Sequence, residues 1–492
     1  MTRVPLLSGA YQSRSIIAGA QRSVNLYPEE NPEDSQAPVP TTTYPTPGLT
    51  FLKQLPDASA IRGLYRATNG ELYAACGGHV YLINSDWSYT AAGAIPSGTS
   101  LVSMKDNGLC LMIVDGSVVG YVIDLTSLPR TVQTIQDSNF LGASKVDYID
   151  TFFVLNQPGT SNFYLSLSNV TAAMATTPGA GAAFDPLYVV AKTGGADPIA
   201  TLVCAHREVW ILGTLTSEVW VDMGTPDFPL GELPGTFIGH GCAAPNSAVW
   251  HDNMPFWLSQ DKDGSGIVVM GAGYNAQRIS THAIEQELSK YATINDAIGY
   301  VYQLQGHVFY VITFPTANVT WACEIATKKW HQWASIDTNG NLNRHRANYA
   351  TEAYGIIVAG DYQNGTLYQL DPNAFTDNGV AIPRIQTFPH MLDDGRRVTY
   401  KSFIADLQSG QLSGGSGPTS QNIVASLRWS DTRGASWSDA IQQQFGTTGA
   451  YGTSIKWTRL GMARDRVFEL SWSVPTDTAL NGAFVEVEEC ET

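Results

Sequence analysis

The chain has 492 residues, 43% hydrophobic and 15% charged, enough apolar surface for two or three folded domains, which excludes a mainly disordered chain. Its net charge is −16, and its densest basic points are the short GRRV (Gly395 to Val398) and RHR (Arg344 to Arg346). That excludes a tight nucleic-acid binder, which gains affinity by neutralising phosphates.

In chain order, the N-terminus MTRVPLLSGAYQSRSII has no apolar stretch of signal-peptide length, and no window approaches the roughly 18 apolar residues that span a bilayer. This predicts a soluble protein, without membrane insertion and not exported by the usual route. Residues 1–50 then read as an extended arm that packs with the C-terminal domain. Prolines and acids crowd YPEENPEDSQAPVPTTTYPTPGL, and X-Pro units disfavour helix. The Pro-rich part, 28–47, is a candidate for reaching a partner, either a neighbouring copy or another protein.

From about residue 60, alternating apolar runs are separated by Gly, Asn or Asp, as in IRGLYRATNGELYAAC followed by GGHVYLIN. Seven such units follow one another. Their central strand residues are Tyr73, Leu111, Phe153, Trp210, Phe256, Phe309 and Ile356. Their spacing, about 40 to 57 residues, is that of four-stranded propeller blades. One small sheet cannot bury both faces, whereas sheets stacked around an axis bury them all. The predicted fold class is therefore all-β, with a β-propeller of six or seven blades over 51–383 and little helix. The one helix candidate is STHAIEQELSKY, capped by Ser280 or Thr281 with Ile284 and Leu288 on one face. Near residue 383 the period breaks. NIVASLRWS, SIKWTRLG, RVFELSWS and AFVEVEE predict a β-sandwich or platform domain over 384–492, interrupted by a flexible loop at QLSGGSGPTSQ (Gln411 to Gln421).

Chemistry-bearing patterns are sparse. Cys76, Cys110, Cys204, Cys242, Cys323 and Cys490 are scattered without Cys-x-x-Cys spacing and read as buried free thiols of a protein made in a reducing cytoplasm. His240 and Cys242 lie close together but lack further metal ligands nearby in sequence. DKDGSG (Asp261 to Gly266) begins like a calcium loop, yet the twelfth position is Ala272 rather than Glu, so it reads as a β-turn. Glu208, Glu218, Asp222 and Asp227 are close in sequence and read as solvated acids on strand ends or turns, where sequence alone does not show a facing pair. No P-loop, nucleophile elbow or dinucleotide fingerprint occurs. No catalytic, cofactor-binding or metal residue is assigned, and the expectation is a non-enzyme without cofactors.

The C-terminal WSDTRGASW (Trp429 to Trp437) resembles the Asp-box turn of sialidase propellers. Ser430, Gly434, Ser436 and Trp437 match, but Asp431 stands one place early and Thr432 holds the usual Asp position. The motif is structural even in sialidases. A glycan-binding or sialidase-like propeller is the alternative function, weakened by the absent arginine and Tyr-Glu set.

Several ordered blocks resemble one family. These are GAYQSRSIIAGAQRSVNLYPE, TSEVWVDMGTPDFPLGELPG, the long HGCAAPNSAVWHDNMPFWLSQDKDGSGIVVMGAGYNAQRISTHAIEQEL, FYVITFPTANVTWACEIATKKWHQWAS, GDYQNGTLYQLD, GRRVTYKSF and LRWSDTRGASWSDA. Together they are similar to the packaged-DNA stabilisation proteins (tail hub or nozzle proteins) of short-tailed bacteriophages. The resemblance implies a propeller with a platform domain, in a homo-hexameric ring below the portal and its adaptor ring. Such a ring extends the DNA channel, retains packaged DNA, and docks tail fibres or spikes and the needle or plug for ejection. It also implies location in the virion tail after synthesis in the host cytoplasm, and no catalytic residues. An acidic lumen built from chains of charge −16 would let DNA pass without specific binding.

Overall fold

Period-two alternation between turn residues yields a ring of small antiparallel sheets in the computed structural model, which describes residues 2–4, 9–15, 19–32, 40–96, 98–261, 263–392, 395–408, 424–444 and 454–489. Six blades are consecutive, at residues 61–94, 103–134, 146–191, 199–232, 249–278 and 298–332. Each zigzags through four hydrogen-bonded strands. The seventh combines three strands of residues 347–371 with Gly48–Gln54, which pairs antiparallel with Thr366–Asp371. The propeller thus has seven blades, and an N-proximal strand seals its seam.

The first strands of the blades adjoin one another in a closed circuit about the axis. Tyr73, Leu111, Phe153, Trp210, Phe256, Phe309 and Ile356 all fall on second strands, and all but Ile356 are buried. Apolar clusters lie between successive blades. Phe163 meets Trp220 edge-on at 5.0 Å between blades 3 and 4, and Phe256 stacks on Tyr310 at 5.5 Å between blades 5 and 6. Leu72 and Val358 share the cluster across the seam. Burying a side chain of this size stabilises by about 1.5–3 kcal/mol, so every blade depends on both neighbours.

Beyond the propeller, two sheets face each other. One comprises Ile455–Thr458, Val398–Leu407, Leu480–Glu489, Thr41–Pro45 and Leu26–Glu30. The other comprises Arg384–Thr387, Asp465–Trp472, Val424–Ser430 and Ile441–Gln444. Phe403 of the first meets Phe468 of the second at 4.9 Å, within one continuous core. The second sheet does not stop at the sandwich. Val24 pairs with Ile385 on one side and with Gln332, in the outer strand of blade 6, on the other. Sandwich and propeller are therefore joined by backbone hydrogen bonds.

Two features differ from the sequence expectations. Gly48–Gln54 straddles the expected boundary at 50/51 and is a propeller strand. Residues 26–30 and 41–45, expected as part of an extended arm, form a paired hairpin within the sandwich. Leu26–Glu30 is that sheet's edge strand, the place where a sheet tolerates a residue such as Pro28 with no N–H to donate. Within 28–47, residues 33–39 lie outside the described residues, as do the loop Gln411 to Gln421 and Cys490.

The helix is His282–Leu288, with Thr281 rather than Ser280 at its N-cap and Ile284 and Leu288 buried. A second short helix, Ala172–Thr176, carried no sequence signal strong enough to be expected. Among the described residues no helix is long and apolar enough to cross a membrane.

Candidate functional site on the propeller axis

The residues weighed from sequence are dispersed and mostly structural. Glu218 is buried and accepts hydrogen bonds from Thr193 N, Gly194 N and Trp220 Nε1. Glu208 stands at the opposite end of the same strand pair and accepts from Tyr274 Oη at 2.6 Å. Asp222 accepts from Gly224 N in a local turn, and Asp227 is exposed. No acid–base pair results. Cys242 is buried with its thiol directed to Ala244 O, and burial pushes that thiol up to about 12. His240 joins no metal cluster, and no group of three His, Cys, Asp or Glu among the described residues is placed to hold an ion. Asp261 Oδ1 accepts from Asp263 N and Ser265 N, closing a β-turn. Cys76, Cys110, Cys204 and Cys323 are also buried free thiols.

WSDTRGASW connects Val424–Ser430 to Ile441–Gln444 in the sandwich. Ser430 Oγ accepts from Gly434 N at 2.8 Å, and Thr432 Oγ1 accepts from Ser436 N at 2.8 Å. Thr432 thus supplies the oxygen that an Asp gives in the usual box. Asp431, displaced by one place, takes a bidentate contact from Arg466 instead, at 2.6 and 2.8 Å. Arg466 is buried against the faces of Tyr400 and Trp429, and Arg428 covers Trp437 at 4.9 Å. Ser430 and Thr432 hold the turn, while Asp431 and Arg433 pair with Arg466 and Asp465 of the neighbouring strand.

A polar concavity lies on the axis itself. First strands and their flanks from all seven blades line a cavity of about 300 Å³. Lys105 follows Met104 on blade 2, Lys145 and Asp147 flank Val146 on blade 3, and Trp250 with His251 comes from blade 5. Lys105 Nζ lies 2.7 Å from Asp147 Oδ1, while Asp147 Oδ2 accepts from Cys204 N at 2.7 Å. Burial works against the Lys105 ammonium, but Asp147 and Tyr65 outweigh it and raise its pKa. Lys145 is different. Burial lowers its pKa, Asp147 offsets this in part, and Lys105 lowers it further. Sequence reasoning missed this set because its members lie in separate repeats. Only their shared place near the first strand of each unit could have grouped them.

A second buried polar cluster sits where propeller meets sandwich. Asn25 donates to Ala334 O and Pro383 O and accepts from Ala334 N, at 2.7–2.8 Å. It ties the N-terminal segment to the end of blade 6 and to the start of the sandwich.

The closed circuit of seven four-stranded blades is a propeller by topology. A family model described as "Bacteriophage P22 Gp10, beta-propeller" matches residues 2–375. The chain belongs to this family. The Gp10-family match covers the N-terminal strands and all seven blades. The sandwich blocks GRRVTYKSF and LRWSDTRGASWSDA lie beyond it. The chain is thus a phage structural protein of the packaged-DNA stabilisation type and a virion component. No curated protein matches the chain. Similar solved structures include the WD40 β-propeller domain of Doa1, at 8% identity and TM-score 0.39 over 65% of this chain and 97% of that one. Another is a chain of the mitotic checkpoint complex, at 11% identity and TM-score 0.38 over 70% and 95%. The N-terminal domain of Nup159 is similar at 9% identity and TM-score 0.40, over 71% and 99%.

Proposed function

We propose that this Gp10-family chain is the tail hub, or nozzle, of a short-tailed phage. It forms a homo-hexameric ring below the portal and adaptor ring, extends the DNA channel, and keeps packaged DNA from leaking. The lower face of the ring docks fibres or spikes and the needle or plug that precede ejection. The family match over residues 2–375 carries this reading. Two physical observations support it. The propeller and sandwich are bonded into one sheet through Val24, which suits a subunit that must transmit contacts from adaptor to needle without bending. A net charge of −16 suits a lumen past which DNA moves without adhesion.

Identical subunits in a closed ring meet through heterologous head-to-tail contacts. The chain performs no catalysis in this reading, in which the acids weighed above form no acid–base pair and the Asp-box residues hold a turn. The test is genome retention. Particles made without this chain should package DNA and then lose it, and complementation should restore retention. Particles that keep their genome without the chain would contradict the proposal. A glycosidase panel on purified protein should show no turnover.

A further inference from the structure

The axial cavity places two ammonium groups, Lys105 and Lys145, against one carboxylate, Asp147. Asp147 already takes three donors, with Lys105 at 2.7 Å on Oδ1, Cys204 N on Oδ2, and Tyr148 N also reaching Oδ1. Lys145 Nζ has no hydrogen-bond or ion-pair partner among the described residues. Its residue surface is only partly covered and opens on the cavity. One carboxylate faces two ammonium groups, so a positive charge enclosed by protein is left uncompensated, and an anion within reach removes the cost of that. In a chain of charge −16, a local excess of positive charge inside the propeller needs a reason. At about 300 Å³ the cavity has room for a phosphate-sized ion together with several waters, each of which occupies about 30 Å³.

We propose that the propeller axis is a binding site for a small oxyanion, a phosphate or carboxylate group, gripped by the free Lys145 ammonium beside the Lys105–Asp147 pair. Three donors on Lys145 meet the oxygens of the anion. Asn246, which also lines the cavity, offers an amide donor, and Trp250, 44% exposed, forms an apolar side. The site is internal to one chain. It is independent of the ring, so it stands or falls apart from the tail reading.

The experiment uses the purified full chain and inorganic phosphate, followed by phosphorus NMR linewidth, with acetate as the carboxylate arm and sodium chloride at matched ionic strength as control. Saturable binding at one site per chain is expected. Losing one charge-assisted contact should weaken it about tenfold in Lys145→Gln, while Lys145→Arg retains it. Phosphate preferred over acetate assigns a phosphate site, and the reverse assigns a carboxylate site. Absence of saturable binding, or equal binding by Lys145→Gln, overturns the proposal. Should Lys145→Gln fail to fold, a selenate soak of wild-type crystals decides. An anomalous peak within hydrogen-bond reach of Lys145 Nζ is expected, and a cavity without one contradicts the site.

Discussion

At Thr432 a hydroxyl does the work of a carboxylate. Its Oγ1 accepts from Ser436 N, while the neighbouring Asp431 is drawn off to Arg466. The turn was legible from Ser430, Gly434 and Ser436, but the fate of Asp431 was not, because Arg466 is 35 residues away on another strand. Gly434 has φ +94°, and a Cβ there would lie 3.3 Å from Ala20 Cβ. Gly434→Val should therefore cost about 2 kcal/mol, and an unchanged melting temperature would count against this. His331 and His345 supply a second residue-scale prediction. Both are fully buried, and burial lowers each to about 3 from the ordinary 6.5. Their neutral folded forms contribute stability above the unfolded value. That contribution falls as pH drops below 6.5 and levels off near 3. At about pH 5 each should cost about 2 kcal/mol. Asp377 runs the other way, because burial pushes its carboxyl up to about 7, so its contribution is full at acid pH and lost as pH rises through 7. The wild-type pH curve is thus composite. Denaturant titration of His331→Leu should show a shallower acid loss than wild type, and an identical slope would refute the assignment.

Among elements, the closing strand Gly48–Gln54 matters most. Gly48 N donates to Ala374 O, and a Cβ at Gly48 would stand 2.4 Å from that same carbonyl oxygen and 2.6 Å from Thr376 O. Gly48→Ala should open the seam at a cost of about 1–3 kcal/mol. Hydrogen exchange should then speed up in Gly48–Gln54 and in Thr366–Asp371 before other blades. Uniform exchange would show that the seam is not the weak point. The seven second strands were legible because each repeat carries its own alternation, with Tyr73 and Phe309 as examples. The seam was not, because Leu49 pairs with Leu370, more than three hundred residues on. Ser23–Val24 was hidden for a related reason. Two residues give no periodicity, yet they carry the sheet from blade 6 to the sandwich.

For the whole molecule, composition and charge excluded a DNA-gripping protein, and the repeat spacing pointed to a propeller before any contact was known. The axial cavity stayed invisible at that scale. Lys105, Lys145 and Trp250 become neighbours only when the ring closes. The bonded joint at Val24 and Asn25, together with the net charge of −16, supports the proposed reading of a subunit built for assembly. Electron cryo-microscopy of the intact tail tests that claim most directly. Six copies in a ring between the adaptor and the needle, with the DNA channel running through the centre, is the predicted result. Density for this chain on the capsid exterior, or a single copy off the tail axis, would contradict it.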